Sequence, residues 1–184
     1  MQKNVISRSL HDVGLSAWFG GTLANAVALN RAAGEASSAS DTGKVTNAGW
    51  NAWTPVNAAA IGAHLVGSVG QLIGNRGRLT TQQGVGTMSV IKTVVTGAAL
   101  GVTAYSRVVG KKVAEYDDVP AASGTEPTAV TPPDAAKAQK QLKALQWAIP
   151  ALTGLLLVIS AYAGEQQRPQ SVLSGVTDRL KIGS

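Results

Sequence analysis

Long stretches without a charged residue alternate with short charged segments along the chain. The uncharged windows are 13–30, 45–75 and 144–164, and the window 85–106 holds one charge, Lys92. Crossing the ~30 Å hydrocarbon core of a bilayer takes about 20 helical residues, which each window supplies. A soluble amphipathic helix would carry charges on its wet face, and these windows do not. The pattern predicts four membrane-spanning helices at about 13–30, 55–74, 85–107 and 144–164.

The segments between these windows differ in composition. Residues 32–52 are rich in Ser, Ala, Gly and Asn, and we expect a loop there. Residues 109–133 are rich in Pro, Thr, Ala and acidic side chains, a composition typical of disorder in isolation. Pro133 and Asp134 then resemble a helix start, and the apolar positions after them keep helical spacing. The fold class is therefore predicted as all-α: a single polytopic membrane domain over 1–184, a four-transmembrane-helix bundle. An extramembrane loop at 109–143 would include an amphipathic extension before the fourth helix.

Charge and composition narrow the class further. The net charge is +6, yet only 14% of residues are charged, against about 25% in an average soluble protein. The basic residues form short groups between apolar windows, whereas a nucleic-acid-binding protein would cluster them on one face. We therefore expect no nucleic-acid partner. The absence of cysteine excludes disulfides, thiolate metal ligands and cysteine nucleophiles.

The higher density of basic residues near the two termini predicts the orientation. With an even number of spans both termini share one side, and the positive-inside rule favours the cytoplasm. The predicted location is the inner (plasma) membrane of a bacterial cell, as a multi-pass protein.

Polar residues recur in rows within the apolar windows. In the second span Asn57, His64 and Gln71 lie seven residues apart, and the third span carries Lys92 and Thr96. Residues seven apart share one helical face, so each row should turn away from lipid. Two interpretations stay open: interhelical hydrogen bonds, worth ~0.6 kcal/mol each, or a ligand path. Because no span contains Asp or Glu, Lys92 is expected to extend toward the nearer surface.

Small residues predict where helices pack closely. Gly70 and Gly74, and likewise Gly97 and Gly101, have the four-residue spacing that lets transmembrane backbones approach each other. These two pairs are the candidate helix-packing positions.

Two histidines raise the question of a haem or metal site. Counting residues from one membrane side places His64 ~15 Å deeper than His11, at 1.5 Å per residue. One porphyrin could not bridge that offset, so no cofactor is expected. Two histidines without an intramembrane carboxylate are also a poor ligand set for a metal.

Enzyme motifs are missing from the chain. It contains no G-x-S-x-G and no Walker sequence, so no catalytic residue is assigned and no enzymatic activity is expected.

Four runs carry a resemblance to a known group. They are His11-Asp-Val-Gly-Leu-Ser-Ala-Trp-Phe-Gly-Gly21, Trp53-Thr-Pro-Val-Asn-Ala-Ala-Ala-Ile-Gly-Ala-His64, Leu145-Gln-Trp-Ala-Ile-Pro-Ala-Leu-Thr-Gly154 and Gly164-Glu-Gln-Gln-Arg-Pro169. They resemble a family of uncharacterised actinobacterial membrane proteins. The resemblance implies a four-helix membrane protein and brings no activity. The opening at His11 also resembles, over a short stretch, the first helix of copper-resistance membrane families.

Two functions fit these observations. The first is a non-catalytic accessory subunit of a larger membrane complex, such as a respiratory complex, with other membrane subunits and lipids as partners. Its partner-binding surface would be the basic and apolar face formed by Lys137, Lys140, Leu142 and Lys143. The alternative is a small transporter or ligand-binding bundle that uses the polar seam around His64 and Lys92.

Overall fold

The computed structural model describes residues 3–77, 84–116 and 119–165, which are mostly helical. The helices are α1 (Lys3–Ala24), α2 (Asn30–Ala33), α3 (Ala39–Gly74), α4 (Val85–Ala114) and α5 (Pro133–Glu165). A π-helical turn, Asn25–Leu29, joins α1 to α2. Between α4 and α5, strand β1 (Ala121–Ser123) pairs antiparallel with β2 (Glu126–Pro127).

The long helices within the described ranges pack against one another in a few pairs. Helix α1 packs on α3 and α5, and α4 packs on α5. The helices enclose a core of buried apolar side chains: Leu15, Trp18, Ala60, Ala99, Ile149 and Leu156. Helices α3 and α4 hardly touch each other. That missing contact leaves a groove along one side of the bundle.

Glycines bring the backbones of α1 and α3 together. A Cβ on Gly14 would overlap the backbone of Ala60 and His64, and a Cβ on Gly67 would overlap the backbone of Ser7 and His11. The predicted packing positions Gly70 and Gly74 lie on the same contact, against side chains of α1. By contrast, the space beside Gly97 and Gly101 is empty. The expectation that this second pair packs a helix is therefore wrong within the described chain.

Among the residues that the structure describes, three helices are long and apolar enough to cross a membrane: α3, α4 and α5. The predicted spans 55–74, 85–107 and 144–164 lie within them. The first predicted span, 13–30, is not among the three; it covers parts of α1 and α2 and the π-helical turn. Its serine, three glycines, threonine and two asparagines lower its hydropathy, and it buries Leu15 and Trp18 among the helices. The predicted position of the C-terminus lies outside the described residues.

The loop expected at 32–52 is mostly helix. Helix α3 begins at Ala39 because the Ser38 side chain accepts a hydrogen bond from the Asp41 backbone N–H, at 3.1 Å. The hydroxyls of Thr42 and Thr46 then bond to backbone carbonyls one turn earlier. A composition rich in small polar residues indicated a loop, but here those side chains make hydrogen bonds to the backbone of the helix.

The described part of 109–133, the segment whose composition is typical of disorder in isolation, is folded. Helix α4 continues to Ala114, and the β1–β2 hairpin covers one end of the bundle. Val119 is buried in a second apolar cluster, and its carbonyl lies where a side chain on Gly43 would be. The Thr131 hydroxyl donates to the Pro120 carbonyl at 2.5 Å. We call this the hairpin end of the bundle.

The residues of the predicted partner-binding surface lie on different sides of α5. Lys137, Lys140 and Lys143 are exposed, and Lys143 donates to Glu126 at 2.6 Å. Leu142 instead packs inward against the cluster around Val119. The expectation that Leu142 shares an outer face with the lysines is wrong, because one helical turn does not put all four positions on one side.

Candidate functional site

The groove between α3 and α4 contains two cavities. The lysine cavity, of about 440 Å³, lies toward the start of α1 and includes His11, Gln71, Lys92 and Thr96 in its lining. The tryptophan cavity, of about 320 Å³, lies toward the hairpin end and is named for Trp50 and Trp53. Leu100 lines both cavities.

At the lysine cavity three side chains are linked in a row by hydrogen bonds: Lys92, His11 and Asp12. The Lys92 ammonium lies 3.2 Å from His11 Nε2, and His11 Nδ1 lies 2.7 Å from an Asp12 carboxylate oxygen. If Nδ1 carries the proton and donates to Asp12, Nε2 is free to accept from Lys92. The imidazole therefore holds Lys92 in one orientation with its remaining N–H groups available to the cavity. The expectation that Lys92 extends to the surface without a partner is wrong.

The two histidines lie beside each other. The ring centroids of His11 and His64 are 4.5 Å apart, and His64 Nδ1 is 3.4 Å from the His11 carbonyl oxygen. The predicted ~15 Å offset is wrong, because α1 extends well before residue 13 and its early turns pack against the end of α3. Rings in such contact leave no room for a porphyrin plane between them. Within the described ranges, no three His, Asp or Glu side chains converge as a metal site would need.

The predicted polar seam is split between the cavities. Gln71, Lys92 and Thr96 line the lysine cavity, where the buried Gln71 Nε2 has no hydrogen-bond partner. Asn57 lines the tryptophan cavity. His64 lines neither; it is fully buried behind His11 and next to Trp18. The seven-residue spacing thus predicted which face of α3 carries these residues. It did not predict that they are divided between two cavities.

Asn30 orders the wall of the tryptophan cavity. It is buried; its amide donates to Gln146 Oε1 at 2.6 Å, and its side-chain oxygen accepts from Trp50 Nε1 at 3.0 Å. Its backbone carbonyl accepts from the Gly124 N–H in the hairpin turn, at 3.1 Å. Through its side chain and its backbone carbonyl, this one residue thereby joins three separate segments of the chain.

Sequence reasoning found only some of the polar residues of the tryptophan cavity: Asn57 was a candidate, whereas Trp53 and Ser106 were not. Trp53 Nε1, Thr103 Oγ1 and Ser106 Oγ are buried there without hydrogen-bond partners, as is the Asn57 side-chain oxygen. Because Trp53 lies just before the second predicted span, at 55–74, its position in the sequence favours the membrane interface, where tryptophan is common. The available clue was that Thr103 and Ser106 continue the polar row of the third span beyond Thr96.

Comparison with protein-family models, curated proteins and solved structures finds no match to this chain. The resemblance to actinobacterial membrane proteins therefore stays a prediction.

Proposed function

We propose that this protein is a four-helix membrane protein that binds an anionic amphiphile in the lysine cavity. In this arrangement α1 crosses the bilayer with α3, α4 and α5, and the ligand's acidic group meets Lys92. The observation that carries the proposal is the Lys92 ammonium, held by His11 at the wall of a cavity that is otherwise largely apolar.

The charges around Lys92 favour an anion. Among the described residues that line the lysine cavity, none carries a carboxylate. An ionisable side chain inside a membrane is costly, and such residues usually mark a binding site or an ion path. The unpaired Gln71 amide adds a second donor on the opposite wall, from α3. A carboxylate or phosphate between these groups would accept hydrogen bonds from both helices.

The remaining lining favours an apolar chain attached to that anion. Leu65, Val69 and Leu72 on α3 face Val85 and Met88 on α4 across the cavity. Ligand pockets commonly combine a mostly apolar wall with a few placed polar groups. Because α3 and α4 hardly touch, the groove is open along its length and gives an acyl chain a route from the bilayer.

We expect Lys92→Gln to weaken binding of a spin-labelled stearate by about tenfold or more. A hydrogen bond to a charged group is worth ~1.5–3 kcal/mol, and 1.4 kcal/mol corresponds to a tenfold change. The measurement is immobilisation of the spin label by the full chain in phosphatidylcholine vesicles at mildly alkaline pH. Lys92→Arg, which keeps the charge, should retain most of the affinity.

Two comparisons make this experiment decisive. Lys112→Gln removes an exposed lysine at the far end of α4 and should leave the affinity unchanged. The methyl ester of the same probe, which lacks the charge, should bind the unmodified protein no better than it binds Lys92→Gln. Equal affinity of acid and ester for the unmodified chain would contradict the proposal. The accessory-subunit function would then be the better interpretation.

A further inference from the structure

The tryptophan cavity presents a set of hydrogen-bonding groups that nothing else in the described structure satisfies. Four residues of its lining each carry a buried polar atom without a partner: Trp53 Nε1, Asn57 Oδ1, Thr103 Oγ1 and Ser106 Oγ. Two of these residues lie on α3 and two on α4, the helices on either side of the cavity. Buried polar groups are nearly always hydrogen-bonded, and an unpaired one is costly. A cluster of four in one cavity indicates that a ligand supplies the missing partners.

The chemistry of these atoms restricts the ligand. The Trp53 N–H can only donate, the Asn57 oxygen can only accept, and the two hydroxyls can do either. A phosphate would offer only acceptors and leave Asn57 unpaired. An ammonium would offer only donors and leave Trp53 unpaired. Hydroxyl groups both donate and accept, so a polyhydroxyl group satisfies the whole set.

Charge and shape agree with that choice. Arg107 is the single charged residue among the described lining, and its guanidinium donates to Asn51 at 3.0 Å. Trp50 and Trp53 add two large aromatic rings to the lining. The C–H surface of a sugar ring can pack against such rings better than a compact ion can. Trp53 is held in place because its ring occupies the space beside Gly21, where a Cβ would overlap it.

We propose that the tryptophan cavity is a second binding site, specific for an uncharged polyhydroxyl group such as a glycosyl group. The group could belong to a glycolipid or to a free sugar, since both present the same hydroxyls. This site is independent of Lys92, and the two proposals can fail separately.

The test uses the full chain labelled with 5-fluorotryptophan in phosphatidylcholine vesicles, followed by ¹⁹F NMR. The Trp53 signal is assigned by its loss in Trp53→Phe. Octyl glucoside, added below its micelle-forming concentration, should shift the Trp53 signal saturably and leave that of Trp147 unchanged. Trp147 is half exposed on α5 and lines neither cavity, so it reports general amphiphile effects.

A matched pair of serine variants tests the assignment. Ser106→Ala should weaken the octyl glucoside titration by about threefold to tenfold, as expected for one lost hydrogen bond. Ser160→Ala should not weaken it, because that hydroxyl is also buried and unpaired but lies outside the cavity. Lys92→Gln should leave the titration unchanged.

The outcomes separate the possible ligands. A shift with octyl glucoside alone supports a glycolipid head group, and a shift with free glucose as well supports a soluble sugar. An equal shift with octylphosphocholine, which has no hydroxyls, overturns the proposal, because the cavity would then accept any amphiphile. No saturable shift with either sugar probe also overturns it and leaves the four polar atoms to water.

Discussion

Gly67→Ala is expected to lower the free energy of unfolding by about 3 kcal/mol, the upper range for inserting a group into a packed interface. The added Cβ would overlap backbone atoms of Ser7 and His11, which cannot move aside as a flexible side chain can. Helix α1 must therefore separate from α3, and His11 moves with it. Affinity for the spin-labelled stearate should fall as well, because His11 positions Lys92. Unfolding in mixed detergent micelles measures the first effect, and the vesicle titration measures the second.

Gly97→Ala is the matched control, since it makes the same chemical change on α4. Nothing lies within 4 Å of the position that its Cβ would occupy. Because alanine favours helix by up to about 1 kcal/mol over glycine, stability should stay equal or rise. Destabilisation by Gly97→Ala similar to that by Gly67→Ala would show that another helix packs on α4 in the assembled protein.

Asn30→Ala should lower the free energy of unfolding by about 2–4 kcal/mol, because it leaves two partly buried partners without a hydrogen bond, at ~1–3 kcal/mol each. Those partners are Trp50 Nε1 and Gln146 Oε1. We also expect faster amide hydrogen exchange in the hairpin, since the Asn30 side chain packs against Gly124 and helps to hold the carbonyl that accepts from the Gly124 N–H. Hydrogen exchange followed by mass spectrometry reads this out segment by segment.

Asn51→Ala controls for the loss of an asparagine near the same end of the bundle. Asn51 is exposed and makes one side-chain bond, to Arg107. Its replacement should change stability by less than about 0.5 kcal/mol, as surface substitutions usually do. If Asn30→Ala is equally mild, water replaces the buried network and the hairpin does not depend on it.

The helical class and the three long apolar helices could be predicted from the sequence, because uncharged windows are a strong physical constraint. The loops could not be predicted in the same way. Residues 39–52 look like a loop in composition, yet Ser38 caps a helix that begins there. Residues 119–127 look disordered, yet Val119 and Ala121 are buried in contacts with distant segments. Composition indicates how a segment behaves in isolation. These segments are instead ordered by their contacts with the rest of the chain.

The candidate site was predictable only in part, for a similar reason. The residues Asn57, Gln71, Lys92 and Thr96 follow from polar positions in apolar windows. The partner of Lys92 does not, because the depth of His11 depends on how far α1 extends before its apolar part begins. The unpaired state of Trp53 is also invisible in sequence, since it results from α4 lying apart from α3.

The π-helical turn Asn25–Leu29 has a consequence for how the chain tolerates changes in length. A π turn holds one residue more than an α turn, and each helical residue advances the side-chain direction by about 100°. The turn therefore lets α1 bury Trp18 in the bundle while Asn30 still points at Trp50 and Gln146. Deleting one residue there, such as Ala28, would make the helix more regular, but it would turn Asn30 away from its partners and make the fold less stable. At this point a regular α-helix would give the wrong side-chain direction, and the π-helical turn preserves the direction that the contacts of Asn30 require.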